Sequence, residues 1–402
     1  MRARSLVLGL LLLASVQQVT AQENKTDLAA SARLLAQKAL IIDTHIDVPY
    51  RLHESWEDVT VATPDGDFDY ERAKRGGLDV LFMSIYTPAE MEATGGSFQL
   101  ANELIDSSEA LVGRAPDKFM MVHNTADAEK ARQKGLIGLA LGMENGSPIE
   151  DKLENVQFFY NRGIRYITLA HALSNHISDS SYDTNRPWHG LSPFGREVVA
   201  EMNRVGIMVD ISHVSDEAFF QVLEIAKAPP IASHSSARFF TPGFERNMSD
   251  DMIKALAAKG GVIQINFASS FLTKTANEWF DAMTKAQKAW LAETGNAADS
   301  EAAKEWEKTY RVGNPFPYAS ISDLADHFDH VVELVGADHV GIGSDFEGVG
   351  DSLPVGIKDV SFYPALIEEL LRREYTPQQI EAILGGNLMR VWRAVEQAAA
   401  KP

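Results

Sequence analysis

Eight short apolar runs, rich in β-branched residues, recur along the chain. They are "LIIDTH" (40–45), "LDVLFMSIY" (78–86), "IGLALGME" (137–144), "YITLAH" (166–171), "GIMVDISH" (206–213), "PIASHS" (230–235), "GVIQINF" (261–267) and "HVGIGSDF" (339–346). Between them lie stretches with helical spacing of apolar residues, such as "DKLENVQFFYNRG", "PFGREVVAEMNRVG", "SDEAFFQVLEIAK" and "SDDMIKALAAKGG". Several begin at Ser or Asp and end at Gly, the residues that cap helices. Continuous apolar strands separated by helices predict parallel strands buried on both faces. Eight such units predict an α/β fold of the (β/α)8 barrel type.

Two segments break this rhythm. Residues 172–192, "ALSNHISDSSYDTNRPWHGLS", are polar and turn-rich and read as a long loop over one face. Residues 268–318 read as a helical insertion between the seventh and eighth strands, and Trp279, Trp290 and Trp306 in it are expected to pack against the barrel or another subunit. With no internal repeat and no linker, residues 22–402 read as a single domain.

The first 21 residues stand apart. Arg2 and Arg4 precede the apolar run "LVLGLLLLA", and "VTA" before Gln22 is a small-residue cleavage pattern, so this segment reads as a signal peptide. The run is too short for a stable membrane span, and neither a lipid-attached cysteine nor an apolar C-terminal tail is present to suggest another anchor. The expected location is periplasmic or secreted. An exported chain with no cysteine is stabilised by its core rather than by disulfides, and its 45% apolar composition supplies one. The absence of cysteine also excludes thiolate ligands and a cysteine nucleophile. The formal charge of −19 becomes −21 once the two arginines of the signal are removed. Such a surface repels nucleic acid and anionic membranes, which points to a small-molecule partner.

The candidate chemistry lies at the ends of the apolar runs. The first run ends in His45 and Asp47, the third in Glu144, the fourth in His171, the fifth in His213, the sixth in His234 and the eighth in Asp345. Active sites of this barrel type are built at the C-terminal ends of the strands. A lone histidine there is most often structural, but chance would scatter seven such residues over both ends. Imidazoles and carboxylates without sulfur suit Zn²⁺. Three imidazoles and two carboxylates exceed the three ligands of a single catalytic zinc, so two ions bridged by a carboxylate, with Glu144 the natural bridge, fit better. Asp43 alternates with His45 and Asp47, so all three are expected to share one face.

In order along the chain, "DTHID", "GMEN", "ITLAH", "DISHVSD", "SHSSAR", "RNMSDD" and "GIGSDFEG" resemble the motif series of the membrane (renal) dipeptidase family of zinc-dependent dipeptidases. The resemblance runs from about residue 40 to 390. It implies that His45 and Asp47 bind one zinc, that His213 and His234 bind the other, and that Glu144 and a water or hydroxide bridge them. It further implies that His171 contacts the scissile carbonyl, that Arg246 binds the substrate's terminal carboxylate and that Asp345 transfers protons. The implied substrates are dipeptides, with C-terminal D-residues and β-lactams within the family's reach, and the implied assembly is a homodimer. Asn145 stands where human-type members have Gly, and Glu347 where Asp is usual, which leaves substrate preference open. The disulfides and glycolipid anchor of the mammalian members do not carry over.

Two alternatives remain at this point. Other hydrolases on the same barrel, such as deaminases, lactonases and phosphotriesterases, mostly open with His-x-His and bridge with a modified lysine, unlike "HID" and Glu144. An exported zinc- or peptide-binding protein without catalysis would be expected to have lost Asp345 or a ligand, and none is missing.

Overall fold

The computed structural model describes residues 27–298 and 300–399. The signal peptide read over residues 1–21 lies outside them. Nine strands form one sheet: β1 (Ile41–Ile46), β2 (Leu78–Tyr86), β3 (Phe119–Met121), β4 (Ile137–Glu144), β5 (Ile164–Thr168), β6 (Met208–Asp210), β7 (Ile231–Ala232), β8 (Val262–Ile265) and β9 (Val340–Ile342). Every pairing is parallel, in the order β1-β2-β4-β5-β6-β7-β8-β9. The ends of this ladder meet where Asp345 N donates to His45 O and Asp47 N to Phe346 O, at 3.0 and 2.9 Å. The expected eight-stranded barrel is therefore present. β3 is an addition that the apolar pattern did not reveal, because its three residues pair only beside the start of β4.

The later strands are shorter than their apolar runs, and the reason is chemical. At the end of β6, Asp210 Oδ1 accepts from Ser212 N and Ser233 N at 3.1 and 2.7 Å. Those amides bond a side chain rather than a neighbouring strand, so the ladder stops and the chain turns. His213 and Asp345 then adopt positive φ angles of 69° and 65°, which non-glycine residues take only where surrounding contacts hold them.

The helices follow the caps read from the sequence. Ser192, Ser215 and Ser249 accept from the third residue beyond them and open the helices Pro193–Val205, Asp216–Ile225 and Asp250–Ala258. Gly206, at φ 93°, ends the first of these in the left-handed region. Helix Glu154–Asn161 lacks a side-chain cap, contrary to the general pattern. Buried residues of four strands, Ile42, Val80, Phe82, Tyr166 and Val262, pack with Trp392 of the C-terminal helix Asn387–Ala398. Among the described residues no helix is long and apolar enough to cross a membrane.

The insertion is helical, with elements Ser269–Leu272, Lys274–Thr294 and Glu301–Gly313. Its tryptophans pack on nearby aromatic rings. Trp290 and Trp306 stack on each other at 5.8 Å and join its two long helices, while Trp279 lies against Tyr310 and Phe316.

Candidate metal centre

All seven residues read from the strand ends converge at one end of the barrel. His45 Nε2 lies 3.5 Å from Asp47 Oδ2, 3.3 Å from Glu144 Oε2 and 3.9 Å from Asp345 Oδ1. The other oxygen of Glu144, Oε1, lies 3.6 Å from His171 Nε2, 3.2 Å from His213 Nε2 and 3.3 Å from His234 Nε2. Asp43 does not join them. The register shifts between Asp43 and Ile46, so residues two apart no longer share a face. Asp43 instead accepts from Tyr363 Oη, Ser344 N and His45 N, and so ties the first and last strand ends together.

The spacings test whether these residues could hold metal. A tetrahedral site with bonds of 2.0–2.1 Å separates its ligand atoms by about 3.3–3.4 Å. Five of the separations above, 3.2–3.6 Å, fall around that value. His45 Nε2 is buried without a hydrogen-bond partner, an arrangement that costs free energy unless something else bonds it. The described residues contain three groups able to hold an ion: His45, Glu144 and His234; Glu144, His171 and His213; and His45, Asp47 and Asp345. The donor set fits a metal.

The charges agree with that use. Burial, reinforced by Arg246 for His213 and by His45 for His234, holds both imidazoles well below the usual histidine range and so neutral, as a ligand must be. Burial alone would push Glu144 up, but His45, His171 and the bonds from His213 and His234 hold it well below its ordinary range. His45 is the exception: burial works against its charge, yet Tyr166, Glu144 and Asp47 raise its pKa well above normal, so an ion at Nε2 must displace a proton. For Asp345, burial together with Asp47 and Glu144 pushes the carboxyl up to about 7.

A family description, Membrane dipeptidase (Peptidase family M19), matches residues 29–402. The chain belongs to this family. It is a metallo-dipeptidase, a hydrolase of peptide bonds. An uncharacterized dipeptidase of Schizosaccharomyces pombe is 32% identical over 387 residues, a match covering 91% of this chain and 82% of that protein. The probable dipeptidase PvdM from Pseudomonas aeruginosa superimposes with a TM-score of 0.81 at 25% identity, over 93% of this chain and 100% of that one. A metallo peptidase from Rhodobacter sphaeroides, liganded with a phosphinate mimic of the dipeptide L-Ala-D-Ala, shares the fold with a TM-score of 0.73 at 23% identity, over 89% and 99% of the two chains.

In the dipeptidase, further residues support the cluster that strand-end reading did not single out. Tyr166 Oη lies 2.8 Å from His45 Nδ1. Ser233 Oγ lies 2.7 Å from His234 Nδ1 and donates to Asp210 Oδ2 at 2.6 Å. Ser84 Oγ donates to Glu144 Oε2 at 3.1 Å, and Asn266 Nδ2 to Asp345 Oδ2 at 2.7 Å. Asn266 could have been found, because it is a polar residue ending the seventh apolar run. Tyr166 opens its run, at the end away from the candidate residues, where an aromatic residue reads as core.

The two departures from the family pattern point their polar groups into the loops. Asn145 sits at φ 76°, a conformation that Gly or Asn tolerates. Its amide donates to Thr87 O and accepts from Ser147 and Asn175, which ties three loops together. Glu347 accepts from Arg51 and from the amides of Asp67 and Phe68.

Arg246 is buried beside the cluster. Its Nη1 donates to Ser235 Oγ at 2.7 Å and its Nη2 to His234 O at 2.6 Å, while Nε has no partner. A structural pairing with Glu245 or Asp250 does not occur: Glu245 bonds Arg186, and Asp250 bonds His330.

Proposed function

We propose that this dipeptidase binds two zinc ions, one on each side of Glu144, and cleaves free dipeptides held by Arg246. The observation that carries the proposal is the division of Glu144: Oε2 faces His45, and Oε1 faces His171, His213 and His234. One carboxylate with each oxygen turned to a separate set of imidazoles is suited to bridging a pair of ions. The nitrogen and oxygen donors favour zinc among common catalytic metals. When bound, such ions polarise the peptide carbonyl and bring the pKa of water near neutrality.

The remaining work falls to the chain. The His171 side chain is 20% exposed where those of His213 and His234 are 6% and 1%, so it is the imidazole open to a substrate carbonyl and to the charge that develops there. Asp345, with a pKa near 7 and fixed by Asn266, takes the proton of the attacking water and returns it to the leaving amine. The unpartnered Nε–H of Arg246 offers the free carboxylate a charge-assisted bond. A fixed cation beside the reacting centre limits substrate length.

Metal content and turnover test the proposal together. Purified protein is expected to carry two zinc per chain, to hydrolyse dipeptides and to lose activity to a chelator, with recovery on adding zinc. The panel pairs L- with D-residues at the C-terminal position, which reads the stereochemical range directly. One ion per chain with full activity and no gain from added zinc overturns the binuclear reading.

A further inference from the structure

The guanidinium of Arg246 stands at one end of a run of aromatic rings drawn from three separate parts of the chain. Its Cζ lies over the Phe271 ring at 5.2 Å. Phe271 meets Phe244 edge-on at 5.4 Å, and Phe244 meets Tyr182 at 5.9 Å. Tyr182 reaches back toward the cluster, with its ring 6.0 Å from that of His213. Tyr182 comes from the polar loop 172–192, Phe244 from the segment before helix Asp250–Ala258, and Phe271 from the first turn of the insertion. The three form a chain of rings running from Arg246 to the ligand His213.

Each segment is fastened in place. Asn247 donates to Phe271 O at 2.8 Å, and Arg186 joins the long loop to Glu245 beside Phe244 at 2.6 Å. Tyr182 is nevertheless 45% exposed, although burying an aromatic ring is favourable. These rings are held at the mouth of the site rather than absorbed into the core.

We propose that Tyr182, Phe244 and Phe271 form the subsite for the side chain of the substrate's C-terminal residue, which makes the dipeptidase selective for large apolar or aromatic residues at that position. The inference rests on Arg246 binding the terminal carboxylate. The side chain of the C-terminal residue branches from the carbon next to that carboxylate, so it must lie within a few bonds of the guanidinium, where Phe271 begins the run of rings. The insertion thereby acquires a role: its first turn supplies one wall of the specificity pocket.

The test compares Ala-Phe with Ala-Gly, and Phe-Ala as the reversed sequence. The wild-type kcat/KM for Ala-Phe is expected to exceed that for Ala-Gly by about 10- to 100-fold, the range that burial of one such side chain supports. Phe271→Ala should lower the Ala-Phe to Ala-Gly ratio about tenfold. Tyr182→Ala should lower it in the same direction, and because Tyr182 is exposed it remains informative if the Phe271 variant fails to fold. A ratio near one in the wild type, an unchanged ratio in the folded variants, or a variant effect confined to Phe-Ala overturns the assignment. The Arg246 reading fails on different substrates: if Arg246→Ala treats Ala-Phe and its amide alike, the carboxylate is held elsewhere.

Discussion

Gly348 packs directly against Asp47: a Cβ on Gly348 would lie 2.3 Å from Asp47 Oδ2 and 2.6 Å from Asp345 Oδ1. The turn after β9 therefore brings bare backbone against two carboxylates of the cluster, and a methyl group there must displace one of them. Gly348→Ala is expected to weaken metal binding by about 10- to 100-fold, the range seen when groups supporting a ligand are disturbed. Chelator competition measures this. Unchanged affinity together with wild-type turnover would show that the turn relaxes without moving either carboxylate.

Asp345 should be separable from metal binding. Asp345→Asn is expected to retain both ions and lose turnover by about 10²- to 10⁴-fold. Loss of metal instead would make Asp345 a ligand.

The same carboxyl leaves a signature in the metal-free protein. An unfolded aspartate releases its proton near 3.8, whereas folded Asp345 keeps it up to about 7. Its contribution favours folding below the lower value and is lost as pH rises to the upper one. Asparagine never ionises and escapes that loss. Chelated Asp345→Asn should therefore gain Tm relative to the chelated parent as pH rises from about 4 to 7, with no further divergence above that range. A constant difference across the range contradicts the shift.

Removing the Tyr166 hydroxyl should act through His45. With a metal bound at Nε2, Nδ1 of His45 would carry the proton and donate it to Tyr166 Oη, which lies 2.8 Å away. Tyr166→Phe keeps the ring packed on Phe82 at 5.4 Å and removes only the acceptor. Metal affinity is expected to fall about 10- to 100-fold, beyond the loss of about 1 to 3 kcal/mol that an unpartnered buried Nδ1–H costs both forms alike. Equal loss of stability in both forms would make the hydroxyl structural.

Arg246→Ala should lower kcat/KM for dipeptides by about 2 to 4 kcal/mol of lost charge-assisted binding. Dipeptide amides, with no carboxylate to hold, should start as poor substrates and lose little more. Equal losses for acid and amide would assign Arg246 to holding Ser235 and the His234 carbonyl in place.

The order of apolar runs by itself determined the eight barrel strands, and their polar ends picked out the seven side chains that converge at one end of the barrel. Both are legible because strand burial and strand termination are written in neighbouring residues. Tertiary structure alone decided that Asp43 turns away from His45, since a register shift reverses faces without any trace in the alternation. It alone brought Tyr166 to His45 across 121 positions, cleared the space at Gly348 beside Asp47, and freed Arg246 by giving Glu245 to Arg186. The ring chain from Tyr182 through Phe244 to Phe271 joins three distant segments, and no local periodicity encodes such a meeting. Contacts of this kind arise only once the barrel closes and sets its loops side by side.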